Sequence, residues 1–144
     1  MRRIATVSGT VNVAYAWRGD FDDAEVTALR AEAFEAASPE GDRSWRALVD
    51  EHSLGWVVAR GGDSLVGFVN VIWDGGHHAW IQDLMVATEV RRQGVGTGLV
   101  VTARDGAREA RCEWLHVDFD SDLRPFYLAS CGFTPTSAGL MHLR

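Results

Sequence analysis

The chain has 144 residues and a formal net charge of −6, which is the length of one domain and the wrong sign for a protein whose main partner is nucleic acid. Its fourteen basic residues are all arginine, so a Walker A loop and lysine Schiff-base chemistry are both excluded. At 47% hydrophobic and 24% charged residues the composition is that of an ordinary globular core. The opening Met1-Arg2-Arg3-Ile4 lacks the apolar stretch of a signal peptide, and no run approaches eighteen apolar residues. With two cysteines, Cys112 and Cys131, and no Cys-x-x-Cys, we expect a cytoplasmic protein with reduced thiols and no membrane association.

Residues 11–17 alternate and are rich in β-formers, which predicts a first strand. Asp22 with Glu25 three positions on resembles a capping box. The helix it opens is expected to run to about Ala37, with Val26, Leu29, Ala33 and Phe34 on one face. A short second helix starts near Asp42 or Ser44 and carries Trp45, Leu48 and Val49. Three strands follow, over 54–60, 65–73 and 79–86, joined by the turns Gly61-Gly62-Asp63 and Asp74-Gly75-Gly76, as an antiparallel meander. His77 and His78 follow the second turn and read as part of an exposed hairpin tip. After a loop over 87–93 a helix begins near Gly94, with Val95, Leu99, Ala103 and Ala107 recurring every four residues. Residues 112–119 are mostly apolar and predict a central strand. A short helix runs from Leu123 or Arg124 to Gly132, and 133–143 can form two short strands around Gly139.

The order is β-α-α-β-β-β-α-β-α-β-β. Residues 79–119 form a βαβ crossover, whose two strands should lie parallel. The expected fold is one α/β domain over 1–144, with a mixed central sheet and helices on both faces.

The chemistry is concentrated between the third meander strand and the helix after it. Gly94, Gly96 and Gly98 leave the backbone bare of Cβ atoms, at a helix start whose N–H groups have no intrahelical acceptor and whose dipole favours an anion. Such a nest suits a diphosphate, and Arg91 and Arg92 add cations. A dinucleotide fingerprint does not fit, because Leu99 stands where the third glycine belongs and the loop follows an antiparallel meander.

Arg91-Arg92-Gln93-Gly94-Val95-Gly96 resembles the Gln/Arg-x-x-Gly-x-Gly/Ala signature of the GNAT superfamily of N-acetyltransferases. Phe126-Tyr127 with Cys131-Gly132-Phe133 resembles the aromatic–Tyr…Gly–Phe helix of that family, and the derived order of elements matches its fold over nearly the whole chain. The resemblance implies acetyl-CoA as co-substrate, no metal, and direct attack by a primary amine of a small molecule or peptide in a ternary complex. It implies that Leu84, Met85 and Val86 offer backbone groups to pantetheine on a bulged strand splayed from its neighbour. Arg91, Arg92, Gln93, Gly94, Val95, Gly96 and Thr97 would surround the diphosphate, with an oxyanion donor at the Met85 or Val86 N–H. Tyr127 would protonate the leaving thiolate, and a homodimer would be in keeping with the family.

Gly132 stands five residues after Tyr127 where most members place it four. The helix can absorb the extra residue as a bulge near Ser130, or Tyr127 can be a packing residue. The family's cofactor-touching Asn in the preceding turn falls on Asp120 or Ser121, depending on which residue starts the count. For the base, His116 occupies a place where some members carry Glu, and its ordinary pKa near 6.5 suits the task; Asp83 is a second candidate. Asp118, Asp120 and Asp122 are either a solvated rim or an attractor for a cationic amine. Arg104, Arg108 and Arg111 recur along the helix after the nest, where one could reach the 3′-phosphate of CoA. Residues 20–55 carry no readable acceptor motif. A non-catalytic acyl-CoA-binding module and a transferase of another acyl group remain alternative readings.

Overall fold

The computed structural model describes residues 6–7, 10–34 and 44–144. Two short strands, β1 (Thr6–Val7) and β2 (Thr10–Val11), pair with each other, and β3 (Val13–Trp17) begins after Asn12. The single strand expected over 11–17 is therefore broken. Helix α1 spans Asp23–Phe34 and α2 Trp45–His52. The expected extension of the first helix to Ala37 and the alternative start at Asp42 lie outside the described residues, whereas Ser44 caps α2 by accepting the Ala47 N–H. The meander follows as β4 (Ser53–Gly61), β5 (Ser64–Trp73) and β6 (His78–Val86), then α3 (Val95–Glu109) and β7 (Trp114–Val117).

One five-stranded sheet has the order β3-β4-β5-β6-β7, antiparallel except for the parallel β6–β7 pair. The βαβ crossover requires that one parallel pairing. Successive side chains on a strand point to opposite faces, and the core fills both. Phe68 meets Phe21 and Trp45 edge-on, at 5.5 and 6.0 Å between centroids, so its face lies beneath α1 and α2. Neighbouring Gly67 looks the other way, onto Val95 and Leu99 of α3. The mixed sheet with helices on both faces is thus as expected.

Two expectations fail toward the C-terminus. β7 is shorter than residues 112–119 and stands at the sheet edge, with Trp114 57% exposed; its apolar residues reflect one packed face, formed by Leu115 and Val117. The two strands expected within 133–143 are not formed. That segment contains Pro135, which lacks a ladder donor, and its Leu140, Met141 and Leu143 are exposed.

The expected capping box forms in part, with the Asp22 N–H donating to Glu25 Oε1 at 3.0 Å. The same carboxylate takes a bidentate pair of bonds from Arg60 on β4, at 2.8 and 2.9 Å, which tie α1 to the sheet. The hydrogen bonds from Arg60 are the main reason the Glu25 carboxyl titrates below its ordinary 4.5. Glu25→Gln should lower stability at neutral pH by about 1–3 kcal/mol, the worth of hydrogen bonds to a charged group. Because the folded-state pKa is the depressed one, the contribution is complete above pH 4.5 and is lost as pH falls through the folded value. Melting curves of wild type and variant should differ at pH 7 and converge in acid; an equal gap at pH 7 and pH 3 would reject the ion pair as its source.

Candidate active site

The β5–β6 ladder carries a register shift between Phe68 and Asn70, which pair with Met85 and Gln82. Two residues of β6, Asp83 and Leu84, therefore oppose Val69 alone, the arrangement of a bulge. Asp83 sits at φ 56°, in the left-handed region. Pairing of β6 with β7 ends at Ile81↔Val117, although β6 continues to Val86. The strands part there and leave a slot through the sheet. The Ala87 N–H donates to Val66 O at 2.8 Å across the β5 side. N–H groups alternate in direction along a strand, so the Val86 N–H faces the opposite edge, into the slot. Of the two N–H groups expected from the sequence as donors, those of Met85 and Val86, that of Val86 is the one that faces the slot. The Met85 side chain is buried beside Phe68 on the α1–α2 face.

The helix start borders the slot. A 3₁₀ turn over Thr88–Val90 precedes it. Glu32 of α1 accepts hydrogen bonds from the Thr88 N–H and Oγ1, at 2.9 and 2.7 Å. Arg91 Nη2 donates to Ala33 O at 2.9 Å, as suits a cation at a helix C-terminus. The last turn of α1 thus anchors the loop. Beyond it, Arg92 (φ 65°) and Gly94 (φ 82°) take left-handed conformations around Gln93, forming a concavity of the nest type. The first amides of α3 have no helical acceptor; the first N–H to gain one, Gly98, bonds Gly94 O at 3.0 Å.

A cleft of about 480 Å³ lies here, bordered by Leu84, Val86, Arg91, Arg92, Gly94, Val95, Gly96 and Thr97, with Val90, Leu123, Phe126 and Ser130 completing it. Eight of the twelve expected cofactor residues are therefore brought together. Met85 is turned away, Gln93 Nε2 bonds Glu89 O at 3.3 Å, and Asp120 and Ser121 are the N-cap and first residue of the 3₁₀ segment Ser121–Leu123, outside the lining. Leu123, Phe126 and Ser130 were not singled out in the sequence; their place depends on how the segment after β7 folds back.

The glycines divide into two groups. A Cβ on Gly96 would come within 3.0 Å of the Phe126 ring, so its bareness shapes the cleft. Gly98 and Gly106, by contrast, lie under Tyr15 and Trp17 of β3, with no room for a methyl group. The expectation that Gly98 serves the nest is corrected: its missing Cβ lets α3 approach the sheet.

The segment Pro125–Ser130 is a π-helix, with the Cys131 N–H donating to Phe126 O at 3.0 Å. This wider turn absorbs the extra residue before Gly132, which is left-handed at φ 82°. Tyr127 is buried, stacked on Phe119 at 4.9 Å and edge-on to Phe126 and Phe133 at 4.8 and 5.9 Å. Burial, with a smaller effect of the Cys131 thiol, pushes its hydroxyl up to about 12. Tyr127 is not among the cleft-lining residues, while its neighbour Phe126 is. Both cysteines are free thiols, and burial raises each above its ordinary value.

His116 and Trp80 are register partners one step before the strands part, with rings stacked at 4.7 Å and 17°. His78 begins β6 and is half-buried, so it belongs to the strand and not to the hairpin tip. Arg104 and Arg108 both reach Asp105 on the surface of α3, at 3.0 and 3.8 Å. Among the described residues no group of three or more His, Cys, Asp and Glu could hold a metal ion, and no helix is long and apolar enough to cross a membrane.

A mixed sheet parted beside a helix-start nest defines a class of fold that comparison with known proteins identifies. The profile of the acetyltransferase (GNAT) family matches residues 16–133, and the chain belongs to this family. It is 27% identical over 99 residues to a mycothiol acetyltransferase of Rhodococcus erythropolis (strain PR4 / NBRC 100887), a match covering 67% of this chain and 33% of that protein. The chain thus spans about a third of the length of the curated relative it matches. Among solved structures, a probable acetyltransferase from meticillin-resistant Staphylococcus aureus aligns with a TM-score of 0.72 at 23% identity, over 92% of this chain and 99% of that one. An aminoglycoside acetyltransferase from an uncultured soil metagenomic sample, in complex with sisomicin, aligns with a TM-score of 0.74 at 18% identity, over 92% and 95%. At those identities the two structures share the fold.

Proposed function

We propose that the chain transfers the acetyl group of acetyl-CoA to a primary amine by direct attack in a ternary complex. The observation that carries this reading is the meeting, in one cleft, of the Val86 strand edge and the bare helix start at Gly94–Gly96. The first amides of α3 and Arg92 hold the diphosphate, and the Val86 N–H donates to the carbonyl oxygen as charge develops there. Holding both reactants in the slot accounts for much of the acceleration. His116, on the α1–α2 face just before the strands part, takes the amine proton through intervening water, because its register partner Trp80 stands on the order of 15–20 Å before Val86 along β6; Asp83 is held in the bulge backbone and is the weaker candidate. The aminoglycoside neighbour supports a small-molecule amine as acceptor, and a peptide amine suits the same open face. The two free thiols support a reducing, cytoplasmic setting.

Among the described residues Arg92 makes no hydrogen bond or ion pair, so its removal tests the diphosphate site with little effect on folding. Arg92→Ala should weaken acetyl-CoA binding by about 1–3 kcal/mol, and Gly96→Val should abolish it by driving a side chain into Phe126. Calorimetry on folded variants checks both; full affinity in Gly96→Val would move the cofactor elsewhere.

Tyr127 is proposed as a donor to the departing sulfur. A thiol has an ordinary pKa near 8.5, and Tyr127 stands at about 12. Complete proton transfer to the thiolate would thus be uphill by about 5 kcal/mol at 1.36 kcal/mol per unit, so the hydroxyl donates a hydrogen bond and keeps its proton. Tyr127→Phe should lower kcat by about 10–100-fold, the worth of a bond to a charged group, with little change in the KM for acetyl-CoA. It should also leave the pH profile between 6 and 10 unchanged, since the tyrosine stays protonated throughout. Unaltered kcat would make Tyr127 a packing residue only, and a basic limb lost in the variant would show that the tyrosine titrates.

A homodimer belongs to the same proposal. Its support is the apolar C-terminal segment, where Leu140 is 90% and Leu143 86% exposed, together with a sheet whose β7 edge is open among the described residues. Light scattering should give twice the chain mass, and replacing Leu140 and Leu143 with Ser should reduce it; a monomer at every concentration would rule this out.

A further inference from the structure

His78 and His116 start from different strands and are 38 residues apart in sequence, yet the parallel register brings their rings together. His78 pairs with Trp114 and Trp80 with His116, so all four side chains project on one face. That face is the one beneath α1 and α2: Trp80 pairs with Ile72, and Ile72 and Phe68 are an even number of residues apart on β5. His78 Nδ1 lies 2.8 Å from His116 Nε2. The His116 ring lies flat on Trp80, and the His78 ring is stacked near the same indole at 6.0 Å and 29°. The His78 backbone is fixed in turn, since its N–H donates to Asp74 Oδ1 at 3.2 Å and its carbonyl accepts from the Asp74 N–H at 3.1 Å. These constraints hold one nitrogen of His116 and leave the other, Nδ1, available.

We infer that His78 is a positioning residue for His116: its Nδ1 accepts the Nε2–H of His116 and so fixes the tautomer whose Nδ1 lone pair faces the incoming amine. The inference rests on the proposed amine acetylation with His116 as base. In a neutral imidazole one nitrogen carries the proton and the other accepts, and the hydrogen bond made by one nitrogen decides which. When the amine attacks, its proton passes through intervening water to His116 Nδ1 while the new C–N bond forms. The C–S bond then breaks and its electron pair leaves on the sulfur. His116 becomes an imidazolium, and its bond to neutral His78 becomes a charge-assisted one, stronger than before. The gain arises as the transition state is approached, which is where an interaction must strengthen to raise kcat.

The ionisable groups around the pair are few. Asp118 lies two residues beyond His116 on the same face, and Asp74 is bonded to the His78 backbone. His52 and Glu51 end α2, across β5. The β5 residues on this face, Asn70 and Ile72, are uncharged, as is Gln82 on β6. The nearest ionisable partner of each imidazole is therefore the other.

The experiment is a pH titration of the imidazoles by ¹⁵N NMR on the full chain, with three variants. His78→Phe keeps a ring against Trp80 and removes the acceptor; His78→Asn keeps a short acceptor that does not titrate; His116→Phe removes the base. In wild type His116 should carry its proton on Nε2. In His78→Phe both tautomers should appear and the midpoint of His116 protonation should move to lower pH, with partial recovery in His78→Asn. With acetyl-CoA and whichever of sisomicin, spermidine and tyramine turns over, His78→Phe should lower kcat roughly 10–100-fold, as for partners that orient a functional imidazole. The acidic limb of its rate profile should move down with the NMR midpoint. The positioning role is overturned if wild-type His116 carries its proton on Nδ1, or if its tautomer and midpoint are the same in His78→Phe. It is also overturned if His116→Phe turns over at the wild-type rate. Calorimetry with acetyl-CoA on the same samples separates the two levels: wild type that binds no acetyl-CoA defeats the proposed function, whereas normal binding with an indifferent His78→Phe defeats this inference alone.

Discussion

Only four register pairs join β6 to β7, and the pairing stops at Ile81 and Val117 while β6 continues to Val86. Every backbone N–H and C=O on the freed edge of β6 must find another partner. Closing the sheet would satisfy them; the bulge at Asp83 and Leu84 prevents closure by turning the strand as it passes β5. The arrangement therefore presents an ordered row of backbone groups that an extended ligand can satisfy, flanked by the helix start that receives a charged end. The anchoring of this loop is distant in sequence and close in space: Glu32 and Ala33 of α1 hold Thr88 and Arg91. Deformation of α1 would be felt first in the nest.

The glycine-rich stretch illustrates how one motif serves two physical ends. Gly94 is required by its positive φ, and Gly96 by the ring of Phe126. Gly98 and Gly106 are required by Tyr15 and Trp17, two rings on one face of β3. Eight residues, a little over two turns, separate those glycines, so both lie on one side of the helix, facing the two alternate residues of β3. The helix is thereby brought down onto the sheet edge that carries the aromatic residues, and its N-terminus is aimed at the slot. The geometry of the cleft is in this sense set by packing far from it.

Much of this was legible in the sequence. The meander, the crossover and the glycine nest follow from periodicity and turn residues, and the count between Tyr127 and Gly132 anticipated the widened turn now seen at Pro125–Ser130. What was not legible depends on pairing. An apolar strand reads as central, yet residues 114–117 form the edge, because apolar content reports one packed face as readily as two. The residues of 133–143 have strand-like composition but form no strand. The contact of His78 with His116 arises from a parallel register, which no local pattern encodes; for that reason His78 reads as a hairpin-tip residue. Leu123, Phe126 and Ser130 were missed as cleft residues for the same reason, since the π-helix chooses which of its side chains face the slot.

The two faces of the sheet divide the chemistry. The nest, Val86 and Phe126 lie on the α3 side; His116, Trp80 and His78 lie on the α1–α2 side; the slot joins them. In the proposed reaction a neutral amine and a thioester give an amide and a thiol, so the proton that His116 would remove equals the one the thiolate would finally take, and no side-chain acid would have to be regenerated from solvent. That balance would make a tyrosine at about 12 tolerable in the role proposed for Tyr127, because the sulfur would need only a hydrogen bond at departure and could be protonated afterwards. An amine arriving as ammonium must first lose a further proton. In the proposed reaction that proton would leave on the exposed face, where His116 itself meets solvent, and the exposed Asp118 and Asp120, two and four residues beyond His116, would favour the arrival of a cationic amine.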